Sequence, residues 1–288
     1  MMDAHLPVLQ IVVPLMAAPI CILLRRKTIV WAFAMLVSLF AFGVATQLLI
    51  KVLNDGVISY ALGGWAAPVG IEYRVDVVNA FVLLLVTVIG AVVLFYAPPS
   101  VANEISNDRH YLFYAAYLLC LTGLLGITIT GDAFNVFVFL EISSLSSYTL
   151  IALGRDRRAL VASYQYLILG AIGATFIVIG IGLMYMMTGT LNMADLADRL
   201  PAMFETRTAV VAFAFLTVGM LIKLALFPLH VWLPNAYCYA PSVVTAFLAA
   251  TATKVSIYIF LRFTFTVWGA DFVFEKLNLD AFLVPLAL

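Results

Sequence analysis

The stretch "FLTVGMLIKLALFPLHVWLPNAY", Phe215 to Tyr237, sets Lys223 inside an apolar run and follows it with Pro228, His230 and Pro234. The run is long enough to cross a membrane, because about 20 apolar residues span the hydrocarbon core. A cation and a helix break stand side by side within it, and both are costly in lipid. Pro228 has no backbone N–H, so the carbonyl of Leu224 loses its usual donor, and Pro234 and Pro241 interrupt the chain again. Broken helices at membrane depth are tolerated where they are buried in protein or line a hydrated cavity. The stretch therefore predicts a discontinuous spanning helix beside a polar interior.

The surrounding chain has the same character. Of 288 residues, 65% are hydrophobic and 10% are charged, against about a quarter charged in ordinary soluble domains. This composition predicts an all-α membrane protein, a polytopic helical bundle. Eight apolar runs lie near residues 6–24, 28–50, 77–97, 111–129, 133–153, 161–187, 208–233 and 242–267, and a ninth begins in "LNLDAFLVPLAL". Between the second and third runs, "GVISYALGGWAAPVGIEYRVD" has β-branched and aromatic residues flanking glycine and proline turn signals, the pattern of a hairpin near 57–75. Cys21, Cys120 and Cys238 have no paired spacing, so neither a disulfide framework nor a thiolate metal site is expected.

Loop charges suggest an orientation. In a secretory signal the basic residues precede the apolar run, but here Arg25, Arg26 and Lys27 follow it, so the first run is expected to span with its N-terminus outside. Those three, with Arg109, Arg155, Arg157 and Arg158, then fall in short inner loops. The acidic excess, including Asp3, Asp55, Glu72, Asp132 and Asp195, falls outside, as does the hairpin. Asp76 opens the third run and reads as a helix N-cap.

Glu141, Lys223 and Lys254 lie well inside their spans. Each charge at a helix centre costs about 2.5–3.5 kcal/mol on insertion scales, hence roughly 8–10 kcal/mol for independent groups. Groups that face one another or water escape much of that cost. Burial favours the neutral form of a side chain and a nearby opposite charge favours the ionised form, so a buried lysine beside a movable carboxylate can load and release a proton. A fixed ion pair joining two helices is the alternative reading of Glu141 and Lys223. His230, seven residues past Lys223, suits proton relay near neutral pH; bonding to freed carbonyls at the kink is its alternative. Ser143, Ser144, Ser146, Ser147 and Tyr148 follow Glu141, and Thr251, Thr253 and Tyr258 flank Lys254. Small hydroxyl residues line wet paths but also serve close helix packing, as do Gly170, Gly173, Gly180 and Gly182.

The longer segment "GMLIKLALFPLHVWLPNAYCYAPSVVTAFLAATATKVSIYIFLR" resembles the signature of the antiporter-like proton-conducting subunits shared by respiratory complex I, membrane-bound hydrogenases and multisubunit sodium/proton antiporters. "FVFLEISSLSSY" looks like the family's fifth helix and "YQYLILGAIGATF" like its sixth, while "LPNAYCYAPS" and "AATATKV" are most like the D-type antiporter subunit. The resemblance implies that Glu141 and Lys223 form a modulating pair, that Lys254 is the central relay and that the seventh helix is discontinuous. It also divides the chain into 1–110 (helices 1–3 with the hairpin), 111–267 (the first of two inverted repeats, helices 4–8) and 268–288 (a loop and the start of a ninth helix). Relatives have a second repeat beyond that point, so the match is to their N-terminal part. Gln165 stands where many relatives carry lysine, which weakens the case for a proton role at that position.

The function so implied is proton translocation within a multisubunit monovalent cation (sodium)/proton antiporter of the plasma membrane. Its expected partners are other membrane subunits, the lipid bilayer and protons, with sodium as a second candidate ion. A redox-driven pump subunit would use the same residues. The chain has no dinucleotide motif and no cluster of ligating cysteines, so no cofactor, metal or nucleic-acid partner is expected, and any redox centre would sit in other subunits. A non-transporting scaffold half is the third reading.

Overall fold

The structure is a computed structural model that describes residues 5–287; Asp3, counted among the loop charges above, lies outside the described residues. The helices are α1 (Leu6–Leu24), α2 (Lys27–Asp55), α3 (Val77–Glu104), α4 (His110–Ile129), α5 (Ala133–Ala152), α6 (Arg157–Thr188), the short α7 (Met193–Arg199), α8 (Arg207–Leu224), α9 (Trp232–Tyr239), α10 (Ser242–Leu261) and α11 (Leu279–Ala287). Two π-helical turns, Arg262–Val267 and Asp271–Lys276, join α10 to α11. Among the described residues eight helices are long and apolar enough to cross a membrane: α1 to α6, α8, and α10 with its π-helical continuation.

α4 is the hub. It is buried nearly throughout, with α1, α2, α3, α5 and α10 packed around it. Two glycines on α4 make the approach of α5 possible. A Cβ on Gly123 would stand 2.5 Å from the backbone nitrogen of Ser143, and one on Gly126 would collide with the Phe139 ring. Close backbone approach through small residues is how helices associate where lipid supplies no hydrophobic drive, and here it brings the serine-rich face of α5 into the interior. α6 and α8 meet in the same way, since a Cβ on Gly219 would lie 2.6 Å from the Gly173 carbonyl and one on Gly180 2.9 Å from that of Ala212. Gly182 differs from its neighbours: a Cβ there meets open space, because it lies on the face of α6 turned away from α8. Gly123→Val is accordingly expected to remove most folded subunit from membranes and Gly182→Val to leave its abundance unchanged, as read by immunoblot of solubilised membranes.

The hairpin is present as β1 (Ile58–Ala61) and β2 (Glu72–Val75), antiparallel with Ile58 opposite Val75. It is tied to the loops at the near end of the bundle, where Gly131 N–H donates to the Glu72 carbonyl at 2.8 Å and Tyr73 bridges Thr130. Glu72 is not the solvated loop charge that counting by position suggests. It is 7% exposed and accepts hydrogen bonds from the Ser59 hydroxyl and the Asn192 amide, because the hairpin folds down onto the turn before α7.

Candidate functional site

The seventh run breaks where its carbonyls lose their donors. α8 stops at Leu224, and Ala225 takes a left-handed conformation (φ 58°) whose N–H closes on the Ile222 and Leu221 carbonyls, with Leu226 N–H reaching Leu221 as well. Turns follow over 226–231, and α9 resumes at Trp232. Pro228 lies in this gap, Pro234 in the first turn of α9, where no intrahelical N–H is needed, and Pro241 at the N-cap of α10. Lys223 thus occupies the last turn of α8, where the negative end of the helix dipole favours a cation.

The Lys223 side chain is enclosed, 4% exposed, and its Nζ donates to Ser144 Oγ at 2.8 Å. Glu141 Oε1 stands at 3.5 Å, and the glutamate side chain is 30% exposed. The ammonium is therefore held more closely by a serine hydroxyl than by its counter-ion, whose side chain is partly exposed. A cavity of about 20 Å³ adjoins it, lined by Ser143, Ser144, Ser147 and Tyr166 on one side and by Ala252 and Ser256 on the other. That space is sufficient for one water. Ser143 and Ser147 bond back to the carbonyls of Leu140 and Ser143 on their own helix, a common way to satisfy hydroxyls in a spanning segment.

The other predicted residues do not join the pair. Lys254 is exposed, with Nζ donating to the Ala249 carbonyl at 2.7 Å and to Thr253 Oγ1 at 3.3 Å. It lies two residues beyond Ala252, about 200° round the helix from the residue that faces Lys223. His230 is half-buried in the turns between α8 and α9, its ring tilted against Phe227 and its Nδ1 enclosed without a hydrogen-bond partner. Gln165 accepts a hydrogen bond from Asn235 of α9 at 3.0 Å.

An aromatic ladder that the sequence reading did not identify braces the break. Tyr148 of α5 meets Tyr166 of α6 edge to face, and Tyr166 stacks on Trp232 of α9 with ring centroids 3.8 Å apart and planes within 3°. Trp232 Nε1 donates to the Ile222 carbonyl at 3.0 Å, one residue before Lys223. A Cβ on Gly170 would collide with the Tyr148 hydroxyl, so the ladder needs a glycine there. The tryptophan two residues after His230 was the available signal, since a buried indole N–H seeks an acceptor and a helix C-terminus offers free ones.

At the hairpin end, Asp76 caps α3: its carboxylate accepts the Asn79 N–H at 3.0 Å, and the Asn79 side chain returns a bond to the Asp76 N–H. The same carboxylate takes Arg262 bidentately, at 2.7 and 3.0 Å. Burial alone would raise the Asp76 carboxyl, but the Arg262 hydrogen bonds and the Asn79 backbone N–H outweigh it and hold the group below the usual carboxylate range. Asp132, capping α5, goes the other way, because burial outweighs the N–H bonds it accepts.

Comparison with known proteins shows the family and the fold. The family described as "NADH:quinone oxidoreductase/Mrp antiporter, TM" matches residues 130–279. The N subunit of the NADH-quinone oxidoreductase of Desulforudis audaxviator is 42% identical over 93% of this chain and 54% of its own length. The D-type subunit of the Na(+)/H(+) antiporter of Alkalihalophilus pseudofirmus is 34% identical over 91% of this chain and 53% of its own. Among solved structures, the archaeal membrane-bound sulfane sulfur reductase superposes with a TM-score of 0.84 at 32% identity, over 90% of this chain and 53% of the matched chain. The Mrp complex of Dietzia sp. DQ12-45-1b gives 0.82 at 26%, over 93% and 49%. The chain spans about half the length of the curated relatives it matches.

Proposed function

This chain belongs to the NADH:quinone oxidoreductase/Mrp antiporter transmembrane family, and we propose that it acts as a proton-translocating part of a multisubunit monovalent cation/proton antiporter. The observation that carries the reading is the enclosed Lys223 ammonium, held by Ser144, with a partly exposed Glu141 counter-ion and space for a water beside it. When the carboxylate moves away, the lysine loses the partner that favours its charged form and can pass a proton to water; when it returns, the lysine reloads. Ala252 and Ser256 of α10 line that space, and Lys254, on the other face of the same helix, is proposed as the next group in the path. His230, with a free ring nitrogen in the helix break, is proposed as the relay on the other side of Lys223. In this reading the N-terminus faces outward from the plasma membrane and the ion exchanged for protons is sodium.

A second reading, a pump subunit of a redox-driven complex, is favoured by the 42% identity to an oxidoreductase subunit. It uses the same lysines and differs in what drives them. One experiment separates the two. Inverted vesicles carrying the native complex are loaded with a pH dye and given either a sodium gradient or a redox substrate. Proton movement driven by sodium and indifferent to the substrate supports the antiporter; movement driven only by the substrate supports the pump. Movement under neither condition, with the complex intact, leaves the scaffold reading standing and overturns both.

A further inference from the structure

α10 carries Lys254, yet it has no cap of its own. Its N-cap residue is Pro241, whose side chain offers no acceptor. The first N–H groups of a helix must still find partners, and here another helix supplies them. Glu104, the last residue of α3, accepts the Ser242 N–H at 2.7 Å and the Ser242 hydroxyl at 3.0 Å on Oε2. Its Oε1 accepts from the Ser100 hydroxyl at 2.7 Å, and the Val243 N–H donates to Ser100 Oγ at 3.2 Å. Two successive backbone donors of α10 thus end on α3 side chains.

The other end of α10 is held by the same helix. Arg262, the residue after Leu261, grips Asp76 in a bidentate ion pair, and its guanidinium also donates to Tyr258 Oη, which in turn donates to the Thr128 carbonyl. α3 and α10 run antiparallel in contact, so the N-cap and the last residue of α3 hold the last and first turns of α10. Lys254 lies between the two attachments, and among the described residues its ammonium bonds to Ala249 and Thr253 of its own helix.

The geometry points to α3 as a two-ended clamp that sets the height and rotation of α10, and with it the position of Lys254, through a carboxylate at each end. Charge-assisted bonds are the strongest available for this purpose, and bidentate geometry fixes orientation as well as distance. Glu104, Asp76 and Arg262 are positioning residues; the effect of the clamp on transport rests on the proposal that Lys254 carries protons, whereas the clamp itself does not.

The test uses the purified assembled complex. In Glu104→Ala, backbone amides of residues 242–245 are expected to exchange with deuterium about tenfold faster or more, as expected for loss of one or two hydrogen bonds that fix a helix end. In Asp76→Asn, which still caps α3, the acceleration is expected in residues 258–262. Glu104→Gln keeps an acceptor for Ser242 and should restore both slow exchange and most of the transport rate at equal abundance. Adding Pro241→Asp to Glu104→Ala gives α10 a local cap without attachment to α3, so protection should return while transport stays low. Unchanged exchange in either single variant would overturn the two-ended clamp; where Lys254→Ala abolishes transport, full transport in the Pro241→Asp double variant would overturn its part in placing Lys254. Repeating the exchange measurement in a Lys254→Ala background keeps the two ideas apart. If Lys254→Ala transports normally, the proton role of Lys254 fails, and the exchange pattern alone still decides the clamp.

Discussion

Lys223→Ala is expected to lower proton-coupled transport by the assembled complex at least roughly 100-fold, the low end of what a positioned proton-transfer group contributes. Insertion is expected to be unaffected, because the substitution removes a charge from the bilayer interior instead of adding one. The single variant leaves Glu141 without its cation, so the informative companion is Glu141→Gln with Lys223→Met. That pair removes both charges and keeps side-chain length, and it should accumulate normally and remain inactive. Glu141→Gln alone keeps the hydrogen-bonding shape and removes the charge that modulates the lysine; transport should fall and its pH–rate curve should move. Recovery of transport in the double variant, or an unmoved pH–rate curve in Glu141→Gln, would show that the pair only joins α5 to α8. The two charges stand 3.5 Å apart, against 2.8 Å from Nζ to Ser144.

Trp232→Ala is the second large effect. The indole is 2% exposed, stacks on Tyr166 and donates to the carbonyl of Ile222, so removing it leaves a cavity at the joint between α6, α8 and α9. Truncations of this size cost about 3–5 kcal/mol. Trp232→Phe keeps the stack and loses one hydrogen bond, worth about 1 kcal/mol, because Ile222 still accepts from Ala225. Detergent-solubilised complex heated in steps should show a clear loss of stability for alanine and a small one for phenylalanine. Transport should follow the same order, since the ladder fixes the end of the helix that presents Lys223. Equal stability of the alanine variant and wild type would mean that the ladder does not brace the break.

The sequence by itself determined the class of protein, the number and placement of the spans, the hairpin and the interruption after Lys223. All of these depend on properties written along the chain: runs of apolar residues of membrane length, turn residues between them, and a proline where a helix needs a donor. Depth is legible in the same way for Glu141, which lies midway along α5 as counting predicts, but Lys223, counted well inside a run reaching residue 233, stands in the last turn of α8 because the helix ends at Leu224. Which way a side chain faces is a different matter. In a soluble helix the apolar stripe marks the inner face, but spanning helices are apolar all round, so the pattern does not say that Lys223 turns inward to Ser144 while Lys254 turns outward. The same gap hides Gly182, which reads like Gly180 and packs against nothing. The tertiary structure alone decided these facings, because they depend on which helices become neighbours. It also decided the bonds between residues far apart in the chain: Trp232 closing the end of α8, Glu104 capping α10 in place of Pro241, and Arg262 reaching Asp76. Buried donors and acceptors must be satisfied somewhere, and the sequence shows the need at Pro241 and Leu224 without showing which distant side chain or terminus meets it.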